Sequence, residues 1–301
     1  MKKSVSMLLA ALMLTGALAG CGSSASTSAS DTQAADGADS GVSGAITVIS
    51  REDGSGTRGA FIELTGVEEK TADGKKVDNT TADAEIANKT DVVLTSVAGN
   101  EKAIGYISLG ALNDTVKAVK VDGAEATVDN VKAGAYKLSR PFNIATKGEP
   151  TGVAKDFISF ILSKEGQAVV TDNKYIAVND AAESFVSDGS SGQIAVGGSS
   201  SVSPVMEKLI EAYKSVNPNA SIDLQTSDST SGMTGAMDGT FAIGMASREL
   251  KDEEAAQLTG TAIALDGIAV IVNPANTIDE LSMDQIKSIY VGDITDWGDL
   301  A

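Results

Sequence analysis

Three strand-to-helix junctions in this chain are built largely from Gly, Ser and Thr, and they limit what it can fold into. They lie at residues 51–57 (REDGSGT), 197–203 (GGSSSVS) and 227–232 (SDSTSG). Short β-branched runs precede them and amphipathic helical patterns follow, so the body reads as an α/β protein. Residues 46–49, 103–107, 193–196, 222–224 and 263–272 have strand character. Residues 153–170 read as one long helix. Met206, Leu209, Ile210 and Tyr213 recur at helical spacing behind Ser203 as N-cap and Pro204, and 282–285 (SMDQ) fits a capping box. At such junctions glycine admits a close ligand, the first-turn amides lack intrahelical partners, and the helix dipole favours negative charge. Arg51, six residues before Thr57, adds an always-charged fork suited to a tetrahedral oxyanion. Neither a G-x-x-x-x-G-K-[ST] loop nor a strict dinucleotide fingerprint is present, which points to a small anion rather than a nucleotide.

Composition removes several functions. The 301 residues contain no His and one Cys, which excludes a Ser-His-Asp triad, His-ligated zinc, an internal disulfide and a Cys cluster. With 23 Lys plus Arg against 41 Asp plus Glu, nucleic acid is not an expected partner. No metal or other cofactor is expected, and a binding protein fits better than an enzyme.

Residues 1–20 carry Lys2, Lys3 and a short apolar run, the pattern of an export signal. They end in Leu18-Ala19-Gly20-Cys21, which resembles the lipobox of bacterial lipoproteins, and Cys21 would carry the lipid (palmitate). Residues 21–44, mostly Ser, Ala, Gly, Thr and Asp, read as a flexible tether. The expected location is extracytoplasmic, anchored to the bacterial cell membrane.

Residues 49–58 (ISREDGSGTR), 197–204 (GGSSSVSP) and 244–250 (GMASREL) closely resemble hallmarks of one family. It is the phosphate-binding proteins of the high-affinity phosphate ABC transporter, the PstS family. Residues 100–109 (NEKAIGYISL) and 264–274 (ALDGIAVIVNP) resemble its Gram-positive lipoprotein form, and the likeness extends over 46–300. It implies a two-lobed periplasmic-binding-protein-like (type II) fold with a hinge, here in circularly permuted order, because material of the family's second half (46–179) precedes that of its first half (193–301). A truncated tandem product, or a fragment exchanging with another copy, would give the same order. The linker 180–192, thirteen residues, would join the family's old termini across at most about 43–47 Å. Crossovers are expected near Pro141-Phe142 and Val272-Asn273, giving one lobe of 46–142 plus 273–301 and a second of 143–272.

The resemblance implies an extracytoplasmic solute-binding lipoprotein, monomeric, that captures inorganic phosphate and delivers it to permease subunits. By motif position the phosphate ligands would be Arg51, Ser55, Gly56, Thr57, Ser201, Val202 (through its amide), Ser229 and Ser247. Asp53 would hold Arg51 by a salt bridge. Some relatives have Asp where Ser247 stands, so rejection of sulfate rests here on a hydroxyl. Arg248 and Glu249 read as a surface or interlobe pair, and Trp297 and Tyr290 as core. A binder of sulfate or molybdate, a receptor or adhesion lipoprotein, and a phosphate-ester hydrolase remain as alternatives.

Overall fold

The computed structural model of the protein describes residues 42–300. The signal segment, Cys21 and the tether as far as residue 41 lie outside the described residues. Elements follow in chain order as β1 (Thr47–Arg51), α1 (Gly56–Thr65), β2 (Glu68–Lys70), β3 (Lys76–Asp78), β4 (Glu85–Ala87), α2 (Thr90–Ala98) and β5 (Ala103–Ser108). After β6 (Lys117–Ala118), β7 (Lys120–Val121) and α3 (Val128–Lys132) come β8 (Ser139–Thr146), α4 (Gly152–Leu162) and α5 (Lys164–Asp172). The remainder comprises β9 (Gly192–Ser199), α6 (Ser203–Val216), β10 (Ala220–Ser227), α7 (Ser229–Asp238), β11 (Ile243–Ala246), α8 (Asp252–Ala255), β12 (Thr259–Val272), β13 (Glu280–Leu281) and α9 (Met283–Val291).

Most strands join one sheet in the order β10-β9-β11-β8-β12-β5-β1-β4, with β6 paired to β12. Strand β12 runs through both lobes. Its residues 259–267 pair antiparallel with β8, and Ile268–Val272 pair antiparallel with β5. Two hydrophobic cores flank this handover. One gathers Phe61, Tyr106, Ile268, Val270 and Tyr290, with the rings of Phe61 and Tyr106 stacked at 3.9 Å. The other gathers Phe142, Phe157, Phe160, Val196, Met206, Leu209 and Tyr213. The chain passes from the first core to the second between Leu138 and Phe142. The second crossover falls at Gly267/Ile268 rather than at Val272-Asn273, so residues 268–272 pack with the first lobe. An unbroken strand carries the chain across, and the Asn-Pro turn only ends that strand.

Three other sequence expectations change. The helix expected over 153–170 is two helices broken at Ser163, whose Oγ accepts the Gly166 amide (3.2 Å) and caps α5. Helix α6 opens at Ser203 with Val202 in the cap position, one residue earlier than expected. The last residues of the expected tether are docked. The Val42 amide donates to Thr277 Oγ1 (2.9 Å), the Gly44 amide donates to Asp296 Oδ1 (2.9 Å), and Gly44 O accepts the Trp297 amide (3.1 Å). With Ile46 N donating to Thr295 O (2.8 Å), the described ends of the chain lie side by side. Tyr290 and Trp297 are buried, as expected.

The 180–192 segment is strapped to the second lobe by two carboxylates: Glu165 Oε2 accepts the Phe185 amide (2.7 Å), and Asp156 gathers several donors. Asp156 Oδ2 accepts from Ser187 Oγ (2.8 Å), Tyr213 OH (2.7 Å) and Asn217 Nδ2 (3.0 Å), while Oδ1 accepts the Asp188 amide (2.9 Å). The Phe185 ring packs edge-on against Phe160. Burial pushes the Asp156 carboxyl up, but its donors together hold it below the ordinary 3.8. A depressed folded-state value means that this stabilisation is complete above the unfolded value and is lost as pH falls through the folded one. Asp156→Ala is therefore expected to destabilise the protein by about 2–4 kcal/mol at pH 7 in urea unfolding, because it orphans buried donors. The gap to wild type should narrow as pH falls below about 4. An equal gap at pH 7 and pH 3 would show that the carboxylate charge is not what the strap depends on.

Candidate functional site

Strand β1 ends at Arg51, and its amide donates to the buried Tyr106 hydroxyl (3.1 Å), fixing where the side chain departs. The guanidinium is 1% exposed. Its Nε and Nη2 donate to the two Glu52 carboxylate oxygens (2.8 Å each), and Nη2 also donates to Ser200 Oγ (3.1 Å). Among the described residues, Nη1 is buried without a hydrogen-bond partner.

From Ser200 a chain of hydroxyls crosses between the lobes. Thr90 Oγ1 lies 3.4 Å from Ser200 Oγ and 3.3 Å from Ser201 Oγ. Ser201 Oγ lies 2.8 Å from Thr57 Oγ1, which lies 3.3 Å from Ser247 Oγ. Ser247 Oγ accepts from Ser199 Oγ (3.0 Å), and the Ser247 amide donates to Ser229 Oγ (3.1 Å). All these side chains are buried. Thr57 and Thr90 come from the first lobe and the serines from the second. The N-termini of α1, α2 and α7 meet here, so first-turn amides and positive dipole ends converge with the hydroxyls.

Two glycines make the approach possible. A Cβ on Gly56 would sit 2.4 Å from Ser229 Oγ and 2.8 Å from Ser247 Oγ, so a side chain there would wedge the lobes apart. Gly198, at φ +136°, lies so close to β11 that a Cβ would meet Met245 O at 2.3 Å.

The structure brings together Arg51, Gly56, Thr57, Ser201, Ser229 and Ser247. Ser55 is beside them as N-cap of α1, its Oγ accepting the Arg58 amide (3.3 Å). Two expectations need correction. Asp53 does not hold Arg51: it sits in the turn after β1 with its side chain 97% exposed and pairs with Arg58 (2.9 Å), while Glu52 takes the Arg51 role. The Val202 amide is already committed to Ser199 O (3.0 Å) in the tight turn that opens α6. Arg248 also has a different partner. Glu254 accepts from both its terminal nitrogens (2.7 and 2.8 Å), and Glu249 contributes its backbone carbonyl.

Several residues of the site carried little signal. Ser199 and Ser200 lie inside the 197–203 run, where the family motif points instead to Ser201 and Val202. Thr90 opens α2 after Asn88-Lys89, a junction without glycine. Arg140 follows Leu138-Ser139 with nothing nearby to mark it. Its guanidinium is buried and paired with Asp266, and its Nη2 donates to Thr57 Oγ1 (3.2 Å). Burial lowers the Arg140 guanidinium and raises the Asp266 carboxyl, and their mutual attraction opposes both shifts. Among the described residues, no group of three or more acidic, His or Cys side chains could hold a metal ion. The site can bind an oxyanion through one guanidinium edge, hydroxyls and helix-start amides, with Glu52 balancing the guanidinium charge.

The PBP superfamily domain matches residues 21–165 and 184–301 of this chain. The phosphate-binding protein PstS 2 of Streptococcus agalactiae serotype V is 49% identical over 302 residues, covering 99% of this chain and 98% of its own. A solved structure of a phosphate-binding protein of a phosphate ABC transporter, from Streptococcus pneumoniae TIGR4, is 50% identical. It covers 86% of this chain and 100% of its own, with a TM-score of 0.69. The phosphate-binding protein PstS of Bacillus subtilis is 34% identical over 137 residues, covering 45% of this chain and 42% of its own. A near-full-length match at half identity, on a two-lobed α/β fold of the same superfamily, places the chain: it belongs to the PstS family of phosphate-binding proteins.

Proposed function

We propose that this protein captures inorganic phosphate between its two lobes outside the cell and delivers it to the permease of an ABC transporter. The observation that carries this reading is the buried, unpartnered Nη1 of Arg51 at the end of a hydroxyl chain contributed by both lobes. Buried polar atoms are nearly always paired, and a donor-only guanidinium edge suits a phosphate oxygen. The proposed ligand groups are Arg51 Nη1, the hydroxyls of Ser55, Thr57, Ser201, Ser229 and Ser247, and the helix-start amides of Gly56 and Thr57. Hydroxyl pairs such as Thr57–Ser201 can each turn a proton toward the anion. Because ligands come from both lobes, phosphate stabilises the closed arrangement and opening at the permease releases it.

The protein acts as a monomer held to the membrane by lipid on Cys21, and turnover is no part of the role. Among the described residues no helix is long and apolar enough to cross a membrane. We read the chain order as circularly permuted relative to other family members. The S. agalactiae relative aligns from end to end in this order, whereas the B. subtilis relative aligns over less than half of either chain. The adjacency of residues 42–46 to 295–297 supports this reading of the order.

Titration calorimetry with inorganic phosphate should give one site per chain with a Kd of about micromolar or tighter. Arg51→Ala should weaken it by more than about 100-fold, since it removes the charged donor and orphans Glu52. Unchanged affinity in Arg51→Ala would falsify the site. Gly56→Ala should weaken binding by about ten-fold by pushing Ser229 and Ser247 away. Asp53→Asn should stay within about two-fold of wild type, because the Asp53 carboxylate is exposed to solvent in its pair with Arg58. A large loss on Asp53→Asn would return Asp53 to the role expected from the family motif.

A further inference from the structure

We infer that Arg140 is a positioning residue of the anion cradle, fixing the Thr57 hydroxyl as a donor from the point where the strands cross between lobes. This rests on the phosphate reading above. Arg140 faces Asp266 in the β8–β12 register, immediately before β12 changes partner from β8 to β5. Its fork reaches three separate elements. Nη1 donates to an Asp266 carboxylate oxygen and to Gly267 O (2.9 Å) on β12, and Nε donates to Ser247 O (3.3 Å) beyond β11. Nη2 donates to Thr57 Oγ1 (3.2 Å) in the first turn of α1. The Phe142 ring covers the guanidinium at 5.0 Å.

The consequence follows from donor counting. A threonine hydroxyl has one proton and two acceptor sites, and a guanidinium can only donate. Once Nη2 occupies an acceptor site of Thr57, the threonine proton cannot point back at Arg140. It must point along the other directions, toward Ser201, Ser247 or an anion lodged against them. The carboxylate of Asp266 neutralises the second buried guanidinium, so Arg140 acts by direction more than by net charge. Lysine at this position could keep the ion pair but not the three-way fork. Two-pronged attachment to the crossover and the cradle also means that α1 is registered against the hinge by a side chain outside the phosphate motif.

A double-mutant cycle on the full mature chain, read by phosphate calorimetry with melting curves in parallel, tests this. Arg140→Lys should weaken phosphate binding by about ten-fold in the wild-type background and in Thr57→Ser, which keeps the hydroxyl. In Thr57→Val, where there is no hydroxyl to orient, the same change should alter affinity by less than about two-fold. If Arg140→Lys does not fold, the joint Arg140→Gln and Asp266→Asn exchange, which removes both charges, is run through the same cycle. Equal losses in the Val and Ser backgrounds, or no loss in wild type, would overturn the inference while leaving the phosphate site intact. Failure of the wild-type protein to bind phosphate at all would overturn both readings.

Discussion

The structure depends on holding the Arg51 guanidinium out of water with one edge unspent. Removing an ion of this kind from water is expensive, and the protein offsets it by placing the Glu52 carboxylate against Nε and Nη2. Ser200 takes a further hydrogen bond, and Nη1 is left buried with no partner among the described residues. The hydroxyls and helix starts around it are neutral dipoles, fixed by secondary structure before any ligand arrives. Preorganisation of this kind lets a nearly uncharged cradle hold an anion, since little reorganisation accompanies binding.

The cradle is assembled from pieces that are each built locally. Every proposed ligand lies at the end of a strand or the start of a helix, and each strand-to-helix junction is intact within the sequence. What is distributed along the chain is the joining of these units, through the two crossovers and the 180–192 strap. The strap is bound to Asp156 and, through its Phe185 ring, to Phe160 on the second lobe, far in sequence from the cradle residues of the first. Residues 42–46 lie against 295–297, joined by backbone hydrogen bonds.

Much of the cradle was legible because its chemistry is local. Gly, Ser and Thr at a strand-to-helix turn carry their own physical meaning, so the three junctions and Arg51 stand out from residue type and spacing, whereas Gly56, Thr57, Ser201, Ser229 and Ser247 are named individually only through the resemblance to the family motif. What was not legible depends on direction or on distant partners. Whether Glu52 or Asp53 faces Arg51 is decided by where β1 ends, and one residue of difference turns a side chain from the interior to solvent. The Val202 amide looked free because a tight turn from Ser199 cannot be read from composition. Arg140 meets Thr57 and Asp266 across 83 and 126 residues of sequence, so no window contains the interaction. Ser163 breaks the 153–170 helix because its hydroxyl caps α5, a competing use that helical periodicity alone does not reveal.

The most direct measurement is a crystal structure of the protein grown with inorganic phosphate. The account predicts one tetrahedral ion between the lobes, with Arg51 Nη1 and the hydroxyls of Thr57, Ser201, Ser229 and Ser247 within hydrogen-bonding distance. An ordered phosphate held elsewhere, with Arg51 Nη1 still facing only protein, would contradict it.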